Sequence, residues 1–196
     1  DGTEVYLEEL DTVLKVPLLG RYQASNCALA AGALAEIMKR GAYIPEEAMI
    51  NGMAKVRWPG RMDIISREPL IMFDVTHTPD GARTVSAEVR RLLGDGLILV
   101  LGVLNDKDLQ GIAACFGPLA RVAIATSPST PRAFTAQQVA EALRPYVAMV
   151  EEVPEVPRAL ERAMALASSA DKLLVTGSLF TIGEAFRWWN ERETGR

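Results

Sequence analysis

Asp74, Thr76, His77 and Thr78 follow directly on the apolar run Pro69-Leu70-Ile71-Met72-Phe73, and Pro79 comes next. The run reads as a buried strand, and Pro79 suits the first residue of a helix. A carboxylate, an imidazole and hydroxyls at the carboxyl end of a strand, facing a helix start, are the groups with which open α/β sheets bind ligands. His77 is the only histidine in the chain. On the local pattern alone, a well-capped turn without chemistry explains these residues equally well. Just upstream, Trp58-Pro59-Gly60-Arg61 reads as a rigid turn. The planar fork of Arg61 could bind a phosphate, but taken alone the position reads as a structural ion pair.

Three further polar loops also follow strand-like runs: Asp106-Lys107-Asp108, Ser127 to Arg132, and Thr176-Gly177-Ser178. Lys107 between two aspartates reads as a solvated charge cluster. Gly177-Ser178 before a helix offers backbone N–H groups to an anion, or serves only the turn. Phe186, Trp188 and Trp189 near the end read as packing.

The elements that must position these loops form a regular series. Strands are predicted over residues 70–75, 97–103, 121–126, 147–150 and 172–176. Helices are predicted over 79–93, 109–116, 136–143, 156–168 and 181–191. Along helix 79–93, Ala82, Val85, Val89, Leu92 and Leu93 share one side, and Thr135 is a good N-cap for helix 136–143. Run 97–103 is apolar on both faces and belongs in the centre of a sheet. Five strands alternating with helices require a largely parallel, Rossmann-like α/β sheet covered on both faces. The carboxyl ends of such strands share one edge, so the four loops converge there.

The first sixty residues differ. Val5, Leu7, Leu10, Val13, Leu14 and Val16 alternate loosely, as in one or two strands at the edge of a hairpin. An alanine-rich helix is expected from Ala24 to about Arg40. Leu29, Ala33 and Ile37, with Ala30, Leu34 and Met38, mark its packed face. Asn26 falls in its first turn, where an amide caps the chain or faces a ligand. A shorter helix spans about 46–55. The chain lacks an initial Met, and its beginning reads as a cut end.

With 49% hydrophobic and 23% charged residues, the 196-residue chain has ample core material. A net charge of -4 argues against nucleic acid as a partner. No run reaches membrane-span length and no signal peptide is visible, so the cytoplasm is the expected compartment. Cys27 and Cys115 read as buried free thiols with no metal spacing. Neither a GxGxxG after a strand nor a GxxxxGK[ST] is present, so the chain brings no phosphate-cradling loop of its own.

Several motifs in order resemble the folylpolyglutamate synthase/dihydrofolate synthase branch of the Mur ligase superfamily. They are Leu18 to Ala30, Trp58-Pro59-Gly60-Arg61, Asp74 to Ala82, Asn105-Asp106-Lys107-Asp108 and Thr176-Gly177-Ser178-Leu179-Phe180. The sequence departs from the family at Thr78, where Asn is usual, and at Tyr22, where His is common. The resemblance implies a γ-glutamyl amide ligase acting on L-glutamate and folate or a related pterin, driven by ATP and Mg²⁺ through an acyl phosphate. It assigns residues 1–60 to the end of a central ATP-binding domain and 61–196 to the carboxyl-terminal glutamate ligase domain. The phosphate loop and metal ligands would lie upstream, and the fragment would be inactive alone.

Carried over by residue, Asn26 would contact adenine, Arg61 the phosphates and Asp74 the nucleotide. His77 would be the catalytic and substrate-facing group, with Ser178 and Lys107 also near substrate. Two other readings stay open. One is a Rossmann-like binding or regulatory module without ligase activity, and the other a Mur ligase for a different amino acid or acceptor.

Overall fold

The structure, a computed structural model, describes residues 2–7 and 12–194. The chain divides into two compact units, Asp1–Asp63 and Ile64–Arg196.

The first unit begins with strands β1 (Thr3–Leu7) and β2 (Thr12–Val16), paired antiparallel with Thr3 opposite Val16. Leu10, expected within this hairpin, lies outside the described residues. Helices α1 (Tyr22–Lys39) and α2 (Glu46–Ala54) follow. Val5, Leu14, Val16, Cys27, Ala31 and Met49 make the core of this unit.

The face expected for α1 is therefore wrong. The buried residues are Gln23, Cys27 and Ala31, while Leu29 is 74% exposed and Ile37 and Met38 are also exposed. In a helix so rich in alanine, several stripes carry similar hydrophobicity, and here small side chains make up the buried stripe. The helix also starts at Tyr22, which moves Asn26 from the expected first turn into the second.

The second unit is built on β3 (Asp63–Arg67), β4 (Leu70–Phe73), β5 (Leu97–Leu101), β6 (Ala120–Ser127), β7 (Val150–Glu155) and β8 (Lys172–Thr176). Their order across the sheet is β3-β4-β8-β5-β6-β7. Strands β4, β8, β5, β6 and β7 run parallel, each to its neighbour. Helices α3 (Pro79–Leu93), α4 (Leu109–Phe116), α5 (Ala136–Leu143), α6 (Val156–Leu166) and α7 (Leu179–Thr194) provide the connections and the carboxyl-terminal helix. The Rossmann-like α/β architecture is as expected, and β5 is buried at every residue.

Two strands differ from expectation. β3, which no strand assignment anticipated, adds an edge and reaches β4 across the two residues Glu68-Pro69. β7 lies at 150–155 instead of 147–150. Its sequence VEEVPE is charged and carries Pro154, the composition of an edge strand, which gives only a faint pattern. Val147 is buried ahead of the strand, and the Met149 carbonyl accepts from Ala123 N–H at 2.9 Å.

Alternation along the strands divides the core. Ile71, Phe73, Ile98, Val100, Leu173 and Val175 pack with α6 and α7, where Phe73 meets Phe186 edge-on at 5.1 Å. Trp188 and Trp189 pack against the same cluster. The opposite face, with Met72, Leu99, Leu101 and Leu174 buried on it, is covered by α3, α4 and α5, which lie side by side. On α3, Leu92 turns out exposed and Glu88 buried, with Arg91 bonded to the Glu88 carboxylate. Cys27 is buried and free, but Cys115 is only half-buried. No helix among the described residues is long and apolar enough to cross a membrane.

Candidate active site

Asp74 continues β4, and its N–H donates to the Val175 carbonyl of β8 at 3.0 Å. Its side chain, 1% exposed, accepts the Thr76 N–H at 2.9 Å on Oδ1, an Asx turn that ends the strand. Thr78 then caps α3 by accepting from Gly81 N–H, with Pro79 as first helical residue. Between the two, His77 Nδ1 lies 2.9 Å from the Val75 carbonyl. A carbonyl only accepts, so Nδ1 carries the proton and the neutral ring keeps its lone pair on Nε2.

The end of β8 is fixed just as closely. Ser178 is 1% exposed and caps α7, its Oγ accepting from Thr181 N–H at 3.0 Å and lying 2.8 Å from Thr181 Oγ1. Thr181 Oγ1 donates its single proton to the Gly102 carbonyl at 2.9 Å. The proton between the two hydroxyls therefore comes from Ser178, which is left with one lone pair to offer and nothing to donate. The Thr176 hydroxyl, buried beside it, has no hydrogen-bond partner.

The β5 loop carries Lys107, whose Nζ is 3.0 Å from Asp106 Oδ2, while Asp108 caps α4 through Gly111 N–H. Arg132, in the loop after β6, reaches the same Asp106 oxygen at 3.1 Å. Lys107 above all, with Arg132, holds the Asp106 carboxyl below its ordinary pKa. At the ends of β6 and β7 lies an open cleft of about 680 Å³ whose lining includes Ser127, Pro128, Thr130, Pro154, Glu155 and Glu184.

The carboxyl edge of the sheet thus gathers Asp74, His77, Lys107 and Ser178, since the strands that precede them are parallel neighbours. Asn26 and Arg61 belong to the first unit. Asn26 Nδ2 donates to Gln23 Oε1 at 2.8 Å, one turn back on α1. Arg61 lies over the Trp58 ring, 5.8 Å from its centroid, in place of the ion pair expected from the residue alone. Arg132 and Thr181 were not singled out by sequence. Their signal is tertiary, because each acts through a group distant along the chain.

Among the described residues no group of three or more His, Cys, Asp or Glu stands together as a metal site. The donors of this chain do not compose a magnesium centre of their own.

The family description "Mur ligase, glutamate ligase domain" matches residues 60–179. The chain is 32% identical over 167 residues to the dihydrofolate synthase/folylpolyglutamate synthase of Escherichia coli, covering 85% of this chain and 39% of that protein. Among solved structures, folylpolyglutamate synthase of Mycobacterium tuberculosis complexed with ADP superposes with a TM-score of 0.81. It is 28% identical, and the match covers 90% of this chain and 42% of that one. The bifunctional folylpolyglutamate synthase/dihydrofolate synthase with Mn, AMPPNP and L-glutamate bound gives a TM-score of 0.74 at 28% identity, covering 90% and 42%. The chain therefore spans about two fifths of the length of these relatives. A matched domain that takes in most of the sheet, with relatives along nearly all of the sequence, places this chain in the Mur ligase family, as a bearer of its glutamate ligase domain.

Proposed function

We propose that this chain is the carboxyl-terminal portion of a folylpolyglutamate synthase-like ligase. It would help join L-glutamate to folate or a related pterin through a γ-glutamyl amide, with ATP and Mg²⁺. Residues 1–60 would be the end of the central ATP-binding domain and residues 61–196 the glutamate ligase domain. One observation carries the reading: the carboxyl edge of the parallel sheet collects the Asp74–His77, Lys107 and Ser178 loops, at the place where such sheets bind ligands.

In this reading the acceptor carboxylate takes the terminal phosphoryl group, the amino group of glutamate attacks the acyl carbon, and phosphate leaves as the amide forms. Arg61, permanently cationic, would face charge on the phosphates, where fixed charges act most strongly. Asp74 would hold the ribose with its buried carboxylate, and Asn26 the adenine with its carboxamide. His77 would accept from the amine through Nε2. The lone pair of Ser178 likewise suits an N–H donor better than a carboxylate. The metal ligands would lie outside this chain, and no step is drawn through the ion. Without them the fragment would be inactive alone.

The test is glutamate-dependent ATP turnover with a folate acceptor, measured on the full protein that carries this chain. No turnover with any pterin, together with unchanged behaviour of Arg61→Ala, would remove the proposal. The second reading, a Mur ligase for another amino acid or acceptor, is favoured by Thr78, which spends its hydroxyl capping α3 in place of the usual carboxamide. Turnover with a different amino acid and none with glutamate would select it.

A further inference from the structure

The loops that follow β5 and β6 are stitched together. Leu104 bridges Ala133 in antiparallel fashion, Asn105 N–H donates to the Arg132 carbonyl at 2.7 Å, and Phe134 N–H donates to the Val103 carbonyl at 3.0 Å. Lys107 N–H closes the first loop on the Leu104 carbonyl at 3.1 Å. The stitching brings Lys107 Nζ and Arg132 Nη2 to one carboxylate oxygen, Asp106 Oδ2, at 3.0 and 3.1 Å.

One carboxylate neutralises one cation. A second cation on the same oxygen leaves the cluster at net +1 within a chain of net charge -4, and the two cations repel each other. Most of their donors remain uncommitted, since Arg132 uses Nη2 alone among its guanidinium nitrogens and an ammonium has three N–H bonds. The side chains are 28% and 59% exposed, so a ligand can reach both. The cleft at the ends of β6 and β7 has the opposite sign, being lined by Glu155 and Glu184. A dicarboxylate at this sheet edge is repelled by that cleft and drawn to Lys107 and Arg132.

We propose that Lys107 and Arg132, held side by side on Asp106, form a carboxylate subsite for a glutamyl unit. The unit is either the incoming glutamate or a glutamyl residue already on the acceptor tail. The inference rests on the ligase reading above and adds Arg132 to it. The guanidinium supplies the flat fork that matches a carboxylate in two-point fashion, and the ammonium adds a point charge.

Two measurements test it. In the full protein, Arg132→Gln should raise the KM for glutamate by about tenfold, the scale of one lost charge-assisted hydrogen bond. The kcat and the KM for ATP should stay within about twofold, and Arg132→Lys should recover part of the loss. A rise confined to acceptors already carrying several glutamates would identify the tail as the source. In the 196-residue chain itself, NMR titration with glutamate or with a triglutamate peptide should shift the Asp106–Asp108 amides and the Arg132 side-chain N–H. These shifts should vanish in Arg132→Gln, and glutamine should produce none. Unchanged KM values in Arg132→Gln overturn the subsite and leave the ligase reading intact. A parent protein without turnover removes the ligase reading, and the titration then decides the subsite alone, with absent shifts counting against it.

Discussion

A β-carbon placed on Gly177 would lie 2.5 Å from the carbonyl oxygen of Gly102. The two glycines stand just past the ends of the neighbouring strands β8 and β5, and the Thr181 hydroxyl closes on the same carbonyl. The loop bearing Ser178 and the loop leading to Lys107 are set by this close approach. It also explains why Gly177, at φ +113°, admits no side chain.

Gly177→Ala is accordingly expected to destabilise the second unit by about 2–4 kcal/mol, combining left-handed strain with a backbone clash. Urea unfolding followed through tryptophan fluorescence provides the measurement. A loss under about 0.5 kcal/mol would show that the contact relaxes without cost.

Phe73, wholly buried, is the anchor that seats α7 on the sheet through Phe186. Phe73→Ala should cost about 3–5 kcal/mol of stability. Phe186→Leu, which keeps apolar volume and loses the edge-to-face pair, should cost about 0.5–1.5 kcal/mol. Equal losses in the two variants would contradict this assignment.

Asp171 accepts from Ser168 N–H at 2.8 Å, from Ser168 Oγ at 2.7 Å and from Arg121 at 3.0 Å. These bonds, the Ser168 pair foremost, lower its pKa to about 2 from 3.8. A carboxylate lowered in the folded state stabilises above its unfolded pKa and loses that contribution as pH falls through the folded value. Asp171→Asn should therefore lower the melting temperature at pH 7, with the gap to the parent closing between about pH 4 and pH 2. A gap that stays constant across that window would mean that charge is not what Asp171 contributes.

Asp74→Asn keeps an oxygen for the Thr76 N–H, so the Asx turn should survive and the fold with it. If the carboxylate holds the ribose, ATP-dependent turnover in the full protein should fall by about tenfold to 150-fold, the scale of a hydrogen bond to a charged group. Circular dichroism checks the fold and steady-state kinetics the loss. Full activity in a folded variant would take Asp74 out of the nucleotide site.

Periodicity and punctuation decided much of this protein in advance. The central position of 97–101, Pro79 as the first residue of α3, and the Thr135 cap all follow from local chemistry, and the structure has them. Parallel order follows from strands alternating with helices, and with it the gathering of four loops at one edge. The tertiary fold decided what short-range pattern cannot carry. Ala-rich α1 presents several similar stripes, and only the hairpin selects Cys27 and Ala31 over Leu29. Edge strand β7 is too charged to show its bounds. Arg61 rests on Trp58, and Arg132 gains its meaning from Asp106, which lies 26 residues away along the chain. Sequence specifies which groups a strand end will display, because alternation and caps are local. Which displayed groups share a partner depends on distances through space, and those exist only once the sheet has formed.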